Sequence, residues 1–239
     1  MKAAGPILTK PVTICVLLYG DHPNLAERAI GSIIRHTSSE AFRLRVGANA
    51  VSATTLKVID YWARRKPFEL SVSSHTNLYK AAMMRRPFFD AALNDEWTIW
   101  FDDDSYVFRQ DWLAMLENES RLKPDVGMWG SKQFIRVGDD HCDFIREASW
   151  YRGIEPALDD QPKHWRLSFI AGGFWAIRSA LLQLLNWPDP RLIHFGDDYM
   201  LGEALRQNGV SIGNAFSGVE INRERRRAPA DTPRSCVLS

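Results

Sequence analysis

The feature that most constrains the fold is an alternation of apolar runs and amphipathic segments in the first half of the chain. The run VTICVLLY (12–19) is continuously apolar, as strands buried on both faces of a parallel sheet are. From Pro23 onwards, apolar residues recur at helical spacing. Further strand-like runs, each followed by a helix-like segment, lie at 42–49, 68–74 and 97–101. The alternation predicts an α/β fold with a parallel, doubly wound sheet and right-handed crossovers.

The second half of the chain has a less regular pattern. Strands are predicted for VGMWG, for KQFIRV and for WRLSFIAGGFWAI, the last one broken by a turn at its glycine pair. The polar stretch 138–164 predicts a loop or lid. Helices are predicted for SALLQLL and DDYMLGEALRQNG, and a last strand for VSIGNA.

Length and composition fit one large globular domain. The chain has 239 residues, of which 45% are hydrophobic. Lys and Arg number 30 against 29 Asp and Glu, so the net charge of +1 indicates no class of partner. The 3 cysteines are far apart, without the spacing of a zinc site or disulfide framework. No stretch is long enough to span a membrane and no convincing cleavage site follows the first apolar run, so we expect a cytoplasmic protein.

Three adjacent aspartates, Asp102, Asp103 and Asp104, follow the buried strand WTIWF. Adjacent carboxylates repel each other and their desolvation is unfavourable, so we expect a cation beside them. In an extended chain Asp102 and Asp104 share a face, and paired carboxylates suit Mg²⁺ or Mn²⁺, which are commonly shared with substrate phosphates. The alternative is a solvated acidic turn before the next helix, although such a turn needs no apolar strand in front of it.

Other polar residues fall at the same predicted edge, which is formed by the carboxyl ends of the strands. Doubly wound sheets bind their ligands at this edge. Gly20 and Asp21 follow the first strand. The cations near strand ends are Lys80, Arg85 and Arg86. One of them could neutralise a diphosphate, although a solvated helix face is the simpler interpretation.

Asp197 and Asp198 lie at the start of a predicted helix. One aspartate would satisfy free N–H groups and favour the helix dipole, and the other could act as a general base.

The glycine pair, Gly172 and Gly173, either lets the backbone approach a ligand or makes a tight turn, and the local sequence favours the turn. The neighbouring Phe174 and Trp175 could stack on a sugar or base, or belong to the core.

The order of these motifs resembles the GT-A nucleotide-sugar glycosyltransferases, and most closely the Fringe-like and related branches. The resemblance covers 11–215 and implies a GT-A domain with a mostly parallel sheet flanked by helices and a smaller mixed acceptor-side portion. Within it, 11–108 would bind the nucleotide sugar, 109–215 would form the acceptor side, and 216–239 would be a basic tail. The implied reaction is a metal-dependent, inverting transfer from a nucleoside-diphosphate sugar, with UDP favoured, to an acceptor hydroxyl.

The resemblance also implies roles for individual residues. Asp104, with Asp102, would chelate Mn²⁺ or Mg²⁺, and Asp102 or Asp103 would contact the ribose or a metal-bound water. Other donor-binding residues would be Tyr19, Gly20, Asp21 and Arg85. The sugar or acceptor pocket would contain Gly172, Gly173, Phe174 and Trp175, and the catalytic base would be Asp198 or Asp197. No histidine after His194 could complete the metal site, so Asn214, Asn222 or water would have to.

The acceptor is the least constrained part of the prediction. Anchorless Fringe-like enzymes that glycosylate hydroxymethylated pyrimidines in DNA make a modified DNA base one candidate. The basic cluster 223–227 would suit phosphate contacts, although a solvated tail is the simpler interpretation. Two alternatives stay open, a nucleotidyltransferase with the same metal and nucleotide sites and a non-catalytic nucleotide-sugar or carbohydrate-binding module.

Overall fold

The computed structural model describes residues 11–65, 68–158, 165–193, 196–214 and 218–221. The strands are β1 (Val12–Tyr19), β2 (Phe42–Asn49), β3 (Glu69–His75), β4 (Trp97–Asp102), β5 (Ser105–Val107), β6 (Val126–Val137), β7 (Ala157–Leu158), β8 (Trp165–Arg178), β9 (Ser211–Asn214) and β10 (Val219–Ile221). The α-helices are α1 (Pro23–His36), α2 (Ala53–Ala63), α3 (Tyr79–Phe89), α4 (Trp112–Leu122), α5 (Asp139–Arg146), α6 (Ser179–Leu185) and α7 (Asp197–Gln207). The basic cluster 223–227, Asn222 and His194 lie outside the described residues.

The main sheet confirms the α/β prediction. Its strand order is β3-β2-β1-β4-β8-β6-β9, and β7 pairs with β8. Strands β1 to β4 are mutually parallel, and β6 and β9 are parallel to each other. Strand β8 is antiparallel to both of its neighbours. A separate two-stranded ribbon joins β5 and β10.

Helices cover both faces of the sheet, because the side chains of the central strands alternate between two apolar layers. In β1, Ile14 and Val16 enter one layer, with helices α1, α2 and α4. Cys15 and Leu17 enter the other, with helices α3, α5, α6 and α7. A strand buried on both faces is therefore apolar throughout, as the sequence of β1 is.

Helix α3 continues through Pro87, although a proline inside a helix commonly interrupts it. Pro87 lies inside its last turns, and the buried Arg45 of β2 compensates for the polar groups at that end. The Arg45 guanidinium donates to the carbonyl oxygens of Pro87 at 3.0 Å, Ala91 at 2.9 Å and Ala92 at 2.7 Å. A tertiary contact thus satisfies carbonyls that local sequence leaves without partners.

The second half departs from the predicted elements at three places. Strand β6 is one strand rather than two, with a register irregularity between Gly130 and Lys132. Strand β8 continues through its glycine pair, so the expected turn is wrong, although residues 171–174 bulge opposite Ser131 of β6. Helix α5 lies in the predicted loop 138–164, and it buries Phe144 and Ile145 in the apolar core although most of its other residues are polar. In each case, pairing or burial against distant elements overrides a weak local signal.

The register of the strands determines what meets at the carboxyl edge of the sheet. Asp102 at the end of β4 lies beside Leu17 of β1. The last pair between β4 and β8 is Phe101 with Phe174, so the glycine pair of β8 continues beyond the end of β4, next to the aspartates. Within the described part of the chain, no helix combines the length and apolar character needed to cross a membrane.

Candidate active site

Asp102 occupies the end of β4, and two side chains hold its carboxylate. The indole Nε1 of Trp100 donates to Oδ1 at 3.0 Å, and Nζ of Lys80 lies 3.3 Å from Oδ2. Burial raises the pKa of Asp102 to about 6, Lys80 opposes the rise, and the neighbouring Asp104 adds to it. Lys80 of the chain itself thus supplies part of the positive charge that we expected beside the aspartates.

Lys80 is the centre of the site. Its Nζ contacts Oδ2 of Asp197 at 3.2 Å in addition to Asp102, and its side chain is 12% exposed. Burial alone would lower the pKa of Lys80, but the carboxylates of Asp102, Asp197 and Asp198 outweigh burial and raise it. Lys80 is therefore a permanent ammonium, and among the candidate cations it is the one that lies at the aspartates.

The two aspartates of α7 have different surroundings. Asp197 is 8% exposed at its side chain and pairs with Lys80. Asp198 accepts a hydrogen bond from the backbone N–H of Tyr199 at 2.8 Å through Oδ1. Burial raises the pKa of Asp198 to about 6, Asp197 adds to the rise and Lys80 opposes it. Neither aspartate is the N-cap residue, which is Gly196 with φ 87°.

Gly172 leaves open the space next to the second oxygen of Asp198. A Cβ placed on Gly172 would lie 3.5 Å from Oδ2 of Asp198 and 3.6 Å from Nζ of Lys80. These are ordinary van der Waals distances, so the backbone of β8 passes directly beside both groups. Four elements, α3, β4, β8 and α7, therefore contribute to one polar group at the carboxyl edge.

The second glycine has a structural role instead. A Cβ on Gly173 would lie 2.5 Å from Cγ2 of Ile221 in β10, a distance that real side chains do not allow. The carbonyl oxygen of Gly173 also accepts a hydrogen bond from Oγ of Ser105 at 2.6 Å. Gly173 thus ties the β5–β10 ribbon to β8.

Asp103 and Asp104 form the turn between β4 and β5. Asp103 is 5% exposed and Asp104 is partly buried. Among the described residues no group of three or more His, Cys, Asp or Glu side chains is arranged to hold a metal ion. The carboxylates of Asp102, whose oxygens already accept from Trp100 and Lys80, and of Asp104 fit Mg²⁺ or Mn²⁺ only in the mode where one or two carboxylates share the ion with substrate phosphates. A metal site in which every ligand is a side chain of the described residues does not fit this arrangement.

Asn214 was a candidate for a further metal ligand, but its side chain is engaged elsewhere. Its Oδ1 accepts a hydrogen bond from the backbone N–H of Lys132 at 3.2 Å.

The loop after β1 lies at the same edge. Tyr19 ends the strand, and Gly20 adopts φ 69°, which favours glycine. Oγ of Ser52 donates to Oδ1 of Asp21 at 2.5 Å, and its N–H donates to the carbonyl of Gly20 at 3.1 Å. Because Ser52 is also the N-cap of α2, this loop is tied to the start of that helix.

Asn49 at the end of β2 is a site residue that sequence reasoning missed. It is 2% exposed, and its Oδ1 accepts a hydrogen bond from the N–H of Leu78 at 2.8 Å. The next residue, Tyr79, has φ 61°, which is strained for a bulky side chain, and is 45% exposed. Asn49 thereby holds the backbone turn that places Lys80 at the edge. The only sequence signal was a polar residue ending an apolar strand.

Three residues expected at the site lie elsewhere. The Arg85 guanidinium donates to the carbonyl oxygens of Asn186 and Pro188, both at 2.7 Å, so it stabilises the turn after α6. Phe174 and Trp175 are 3% and 1% exposed. Because both rings are packed in the core, where Trp175 stacks on Trp100, they are not available to a sugar.

No family model matches the chain, and no curated protein matches it. Among solved structures, the chain is similar to the mannosyltransferase PcManGT from Pyrobaculum calidifontis in complex with GDP-Man and Mn²⁺. That similarity has a TM-score of 0.64 and 18% identity, and covers 94% of this chain. The chain spans 61% of that structure's length. S. aureus TarS is a weaker match, with a TM-score of 0.47, 12% identity, and coverage of 72% of this chain and 29% of TarS.

Identity of 18% shows a common fold and not a common activity. The strand order, the antiparallel placement of β8 within the main sheet and the similarity to the mannosyltransferase lead to the same conclusion: the chain has an α/β fold of the GT-A type.

Proposed function

We propose that this protein is a glycosyltransferase that moves a sugar from a nucleoside-diphosphate sugar to an acceptor hydroxyl. The observation that carries the proposal is the polar group at the carboxyl edge, in which Lys80 joins Asp102 to Asp197 while Asp198 lies beside Gly172. Ligands of open α/β sheets bind at this edge. The similar mannosyltransferase was solved with GDP-Man and Mn²⁺, which supports a nucleotide-sugar donor.

Asp102 and Asp104 would hold the divalent cation, Mn²⁺ or Mg²⁺, together with oxygens of the donor diphosphate. When bound, the cation would neutralise the charge that develops on the departing nucleoside diphosphate. Trp100 keeps the Asp102 carboxylate in place through its indole N–H. Asp103, buried in the same turn, would position the backbone for the ribose.

Lys80 takes the role that the sequence alone suggested for Arg85. Its ammonium is nearly buried and already oriented by two carboxylates, so it needs little reorganisation to donate to a diphosphate oxygen. A fixed charge in a poorly solvated site stabilises a developing negative charge more strongly than a mobile surface charge.

Asp198 is the proposed general base that accepts the proton of the acceptor hydroxyl. Its partner Asp197 is committed to Lys80, whereas Oδ2 of Asp198 lies 3.5 Å from the position that a Cβ on Gly172 would take, so room for an acceptor group exists where Gly172 has no side chain. With a pKa of about 6, Asp198 is ionised at neutral pH and more basic than an ordinary aspartate. A carboxylate base that activates the acceptor directly favours inversion at the anomeric carbon.

The finer assignments rest on the resemblance to the Fringe-like branch. It favours UDP as the nucleotide and makes a hydroxymethylated pyrimidine in DNA a candidate acceptor. It also suggests that Tyr19, Gly20 and Asp21 lie near the base of the donor, within a donor-binding half at 11–108 and opposite an acceptor half at 109–215.

The test is release of nucleoside diphosphate from a panel of UDP-, GDP- and dTDP-sugars with Mn²⁺, for the wild type and Asp198→Asn. We expect slow hydrolysis of one donor by the wild type, at least a hundredfold less by Asp198→Asn, and no change for the control Asp125→Asn, an exposed aspartate before β6. Release of pyrophosphate from a nucleoside triphosphate, without sugar transfer, would indicate a nucleotidyltransferase instead. Donor binding without turnover in the wild type would indicate a binding module.

A further inference from the structure

Strand β3 forms one end of the main sheet, and among the described residues no strand pairs with it on its outer side. It has 7 residues, and its register with β2 continues without irregularity from Glu69 to His75. At the other end of the sheet, β9 has only 4 residues, and its pairing with β6 shifts register between Val126 and Met128. Short, irregular edges resist further pairing, whereas a long, regular edge is a template for another strand.

Strand β3 also lacks the residues that usually protect an edge. Natural edge strands carry Lys, Pro or a bulge, which discourage pairing with another chain. The sequence of β3, ELSVSSH, contains no Lys, Arg or Pro, and its titratable residues, Glu69 and His75, lie at its two ends. Each residue of β3 is exposed or partly exposed. The outer side of β3 is therefore open to a partner strand.

One hydrogen bond determines which backbone groups of β3 point outwards. The carbonyl oxygen of His75 accepts from the backbone N–H of Ala50 at 2.9 Å, so the polar groups of His75 face β2. Since these groups point to opposite sides of a strand at successive residues, every second residue back to Glu69 faces β2 as well. The residues whose N–H and C=O point away from β2 are Leu70, Val72 and Ser74.

A row of valines crosses the sheet and ends at this edge. Val16 of β1 pairs with Val46 of β2, and Val46 pairs with Val72 of β3. Val16 and Val46 are buried, but Val72 is 42% exposed because no described strand lies beyond it. An apolar residue opposite Val72 on a further strand would continue the row and remove the Val72 side chain from water.

We propose that β3 pairs with β3 of a second copy of this chain, antiparallel, about a two-fold axis at Val72. The pairing does not rest on the function proposed above. In this register Val72 lies opposite Val72 of the second copy, and Leu70 lies opposite its Ser74. All the outward backbone groups then face one another, and the three pairs exchange about six hydrogen bonds.

The ends of β3 complement each other in the same register. Glu69 lies opposite His75 of the second copy, and the two-fold axis produces this acid–base pair twice. The Glu69 carboxylate contacts Arg43 at 3.0 Å, yet its side chain is 69% exposed and remains accessible to an imidazole. A slip of one residue would oppose outward to inward backbone groups, and a slip of two would leave Glu69 without its partner.

Other occupants of the edge fit less well. A parallel second copy would place Glu69 beside Glu69 and His75 beside His75, so it would lose the complementary ends. An extended peptide of another protein would accept the same backbone hydrogen bonds, but nothing in it would match the valine row and both ends at once. An antiparallel second copy matches all three features.

The first test is sedimentation equilibrium of the full chain. Pairing along one strand buries less area than a standard interface, so we expect a weak dimer, with Kd on the order of 10 µM, at twice the mass of the chain. Val72→Lys places two ammonium groups opposite each other and should raise Kd about tenfold or more. The control Leu184→Lys changes an equally apolar residue that is 62% exposed on α6, and it should leave Kd unchanged.

Exchanging the two end charges tests the register. Glu69→Lys alone opposes a cation to His75, and His75→Glu alone opposes two carboxylates, so each should raise Kd about fivefold. The double variant Glu69→Lys/His75→Glu restores opposite charges across the axis and should return Kd to near the wild-type value. Equal weakening in the double variant would overturn the antiparallel register.

Disulfide formation gives a second measurement that does not depend on Kd. Cys15 and Cys142 are buried, so a Cys236→Ser background leaves only the added thiols accessible among the described residues. Val72→Cys should cross-link under mild oxidation, because the two Cα atoms of such a pair lie about 5.5 Å apart. Ser74→Cys is the control: its copy lies about 14 Å away along the strand, so it should cross-link only when Leu70→Cys is added.

Three results would overturn the proposal: a monomer at all concentrations, a dimer that Val72→Lys does not weaken, or cross-linking of Ser74→Cys alone. A monomer would also be the result if residues 1–10 or 222–239 of the same chain covered the edge. Val72→Lys should keep donor binding, whereas Asp104→Asn should lose donor binding and remain dimeric. Failure of the pairing and failure of the proposed function are therefore distinguishable.

Discussion

The ammonium of Lys80 lies 3.2 Å from the carboxylate of Asp197, and this contact connects helix α3 to the start of helix α7. The same ammonium reaches Asp102 at the end of β4, 3.3 Å away. One lysine therefore fixes the relative position of the aspartates proposed to bind the cation and the aspartates proposed to supply the base.

Replacing Lys80 with methionine keeps most of the length of the side chain and removes its charge. Three carboxylates would then lie close together without a compensating ammonium, and breaking a buried ion pair from one side costs about 3–5 kcal/mol. We expect a loss of stability of about 3 kcal/mol in urea unfolding at pH 7, and a smaller loss at pH 5, where protonation relieves the repulsion. The exposed Lys57→Met is the control and should change stability by less than about 0.5 kcal/mol.

The pKa of Asp198, raised from 3.8 to about 6, determines a pH dependence of stability. The folded protein binds this proton more tightly than the unfolded chain does. The resulting stabilisation is therefore fully present below pH 3.8 and is lost as the pH rises through about 6. Asp198→Asn should flatten the fall in unfolding free energy between these values, and unchanged pH curves for the variant would contradict the assignment.

The ionisation of Asp198 should also control catalysis, and there the activity should rise with pH where the stability falls. A general base acts only when ionised, so kcat/KM for the donor and acceptor pair should rise with pH to a plateau, with a midpoint near 6. A rate that is flat from pH 5 to 7 would show that Asp198 is not the base.

The two adjacent glycines should respond differently to substitution by alanine. At Gly172 the new methyl group meets Asp198 and Lys80 at ordinary contact distances, so the fold should persist while kcat/KM falls at least tenfold, because the methyl group fills acceptor space. At Gly173 it would meet Ile221 at 2.5 Å, and the melting temperature should fall by several degrees. Equal melting temperatures for the two variants would contradict the packing described for β10.

Arg85→Ala should separate structural from functional cations. Its guanidinium holds two carbonyl oxygens in the turn after α6, and hydrogen bonds from charged groups contribute about 1.5–3 kcal/mol each. We expect lower stability and unchanged donor affinity, whereas Lys80→Met should weaken donor binding. Isothermal titration with the donor, after unfolding curves for both variants, distinguishes the two effects.

The strands that sequence predicted best are those whose burial is continuous. Strands β1, β2 and β4 are almost wholly buried because both faces are covered, and their predicted bounds differ from the observed bounds by at most one residue. Strand β8 was predicted to turn at Gly172, because a glycine pair signals a turn locally. Its continuation depends on pairing with β4 and β6, which no local pattern reveals.

The choice between Lys80 and Arg85 was also beyond the sequence. Both residues belong to α3, and the position of the helix start decides which one reaches the edge. That start is determined by Asn49 on another strand and by the strained backbone of Tyr79, so it depends on tertiary contacts. The aspartates, in contrast, follow directly from the end of a recognisable strand.

The most direct test of the central claim is the melting temperature of the wild type and Asp104→Asn, titrated with nucleotide sugars in Mn²⁺ or in chelator. A ligand that binds the folded state raises the melting temperature by mass action. The proposed site requires a rise for the wild type with one class of nucleotide sugar, present with Mn²⁺ and lost in chelator and in Asp104→Asn. Equal shifts for both proteins, or no shift with any nucleotide sugar, would contradict it.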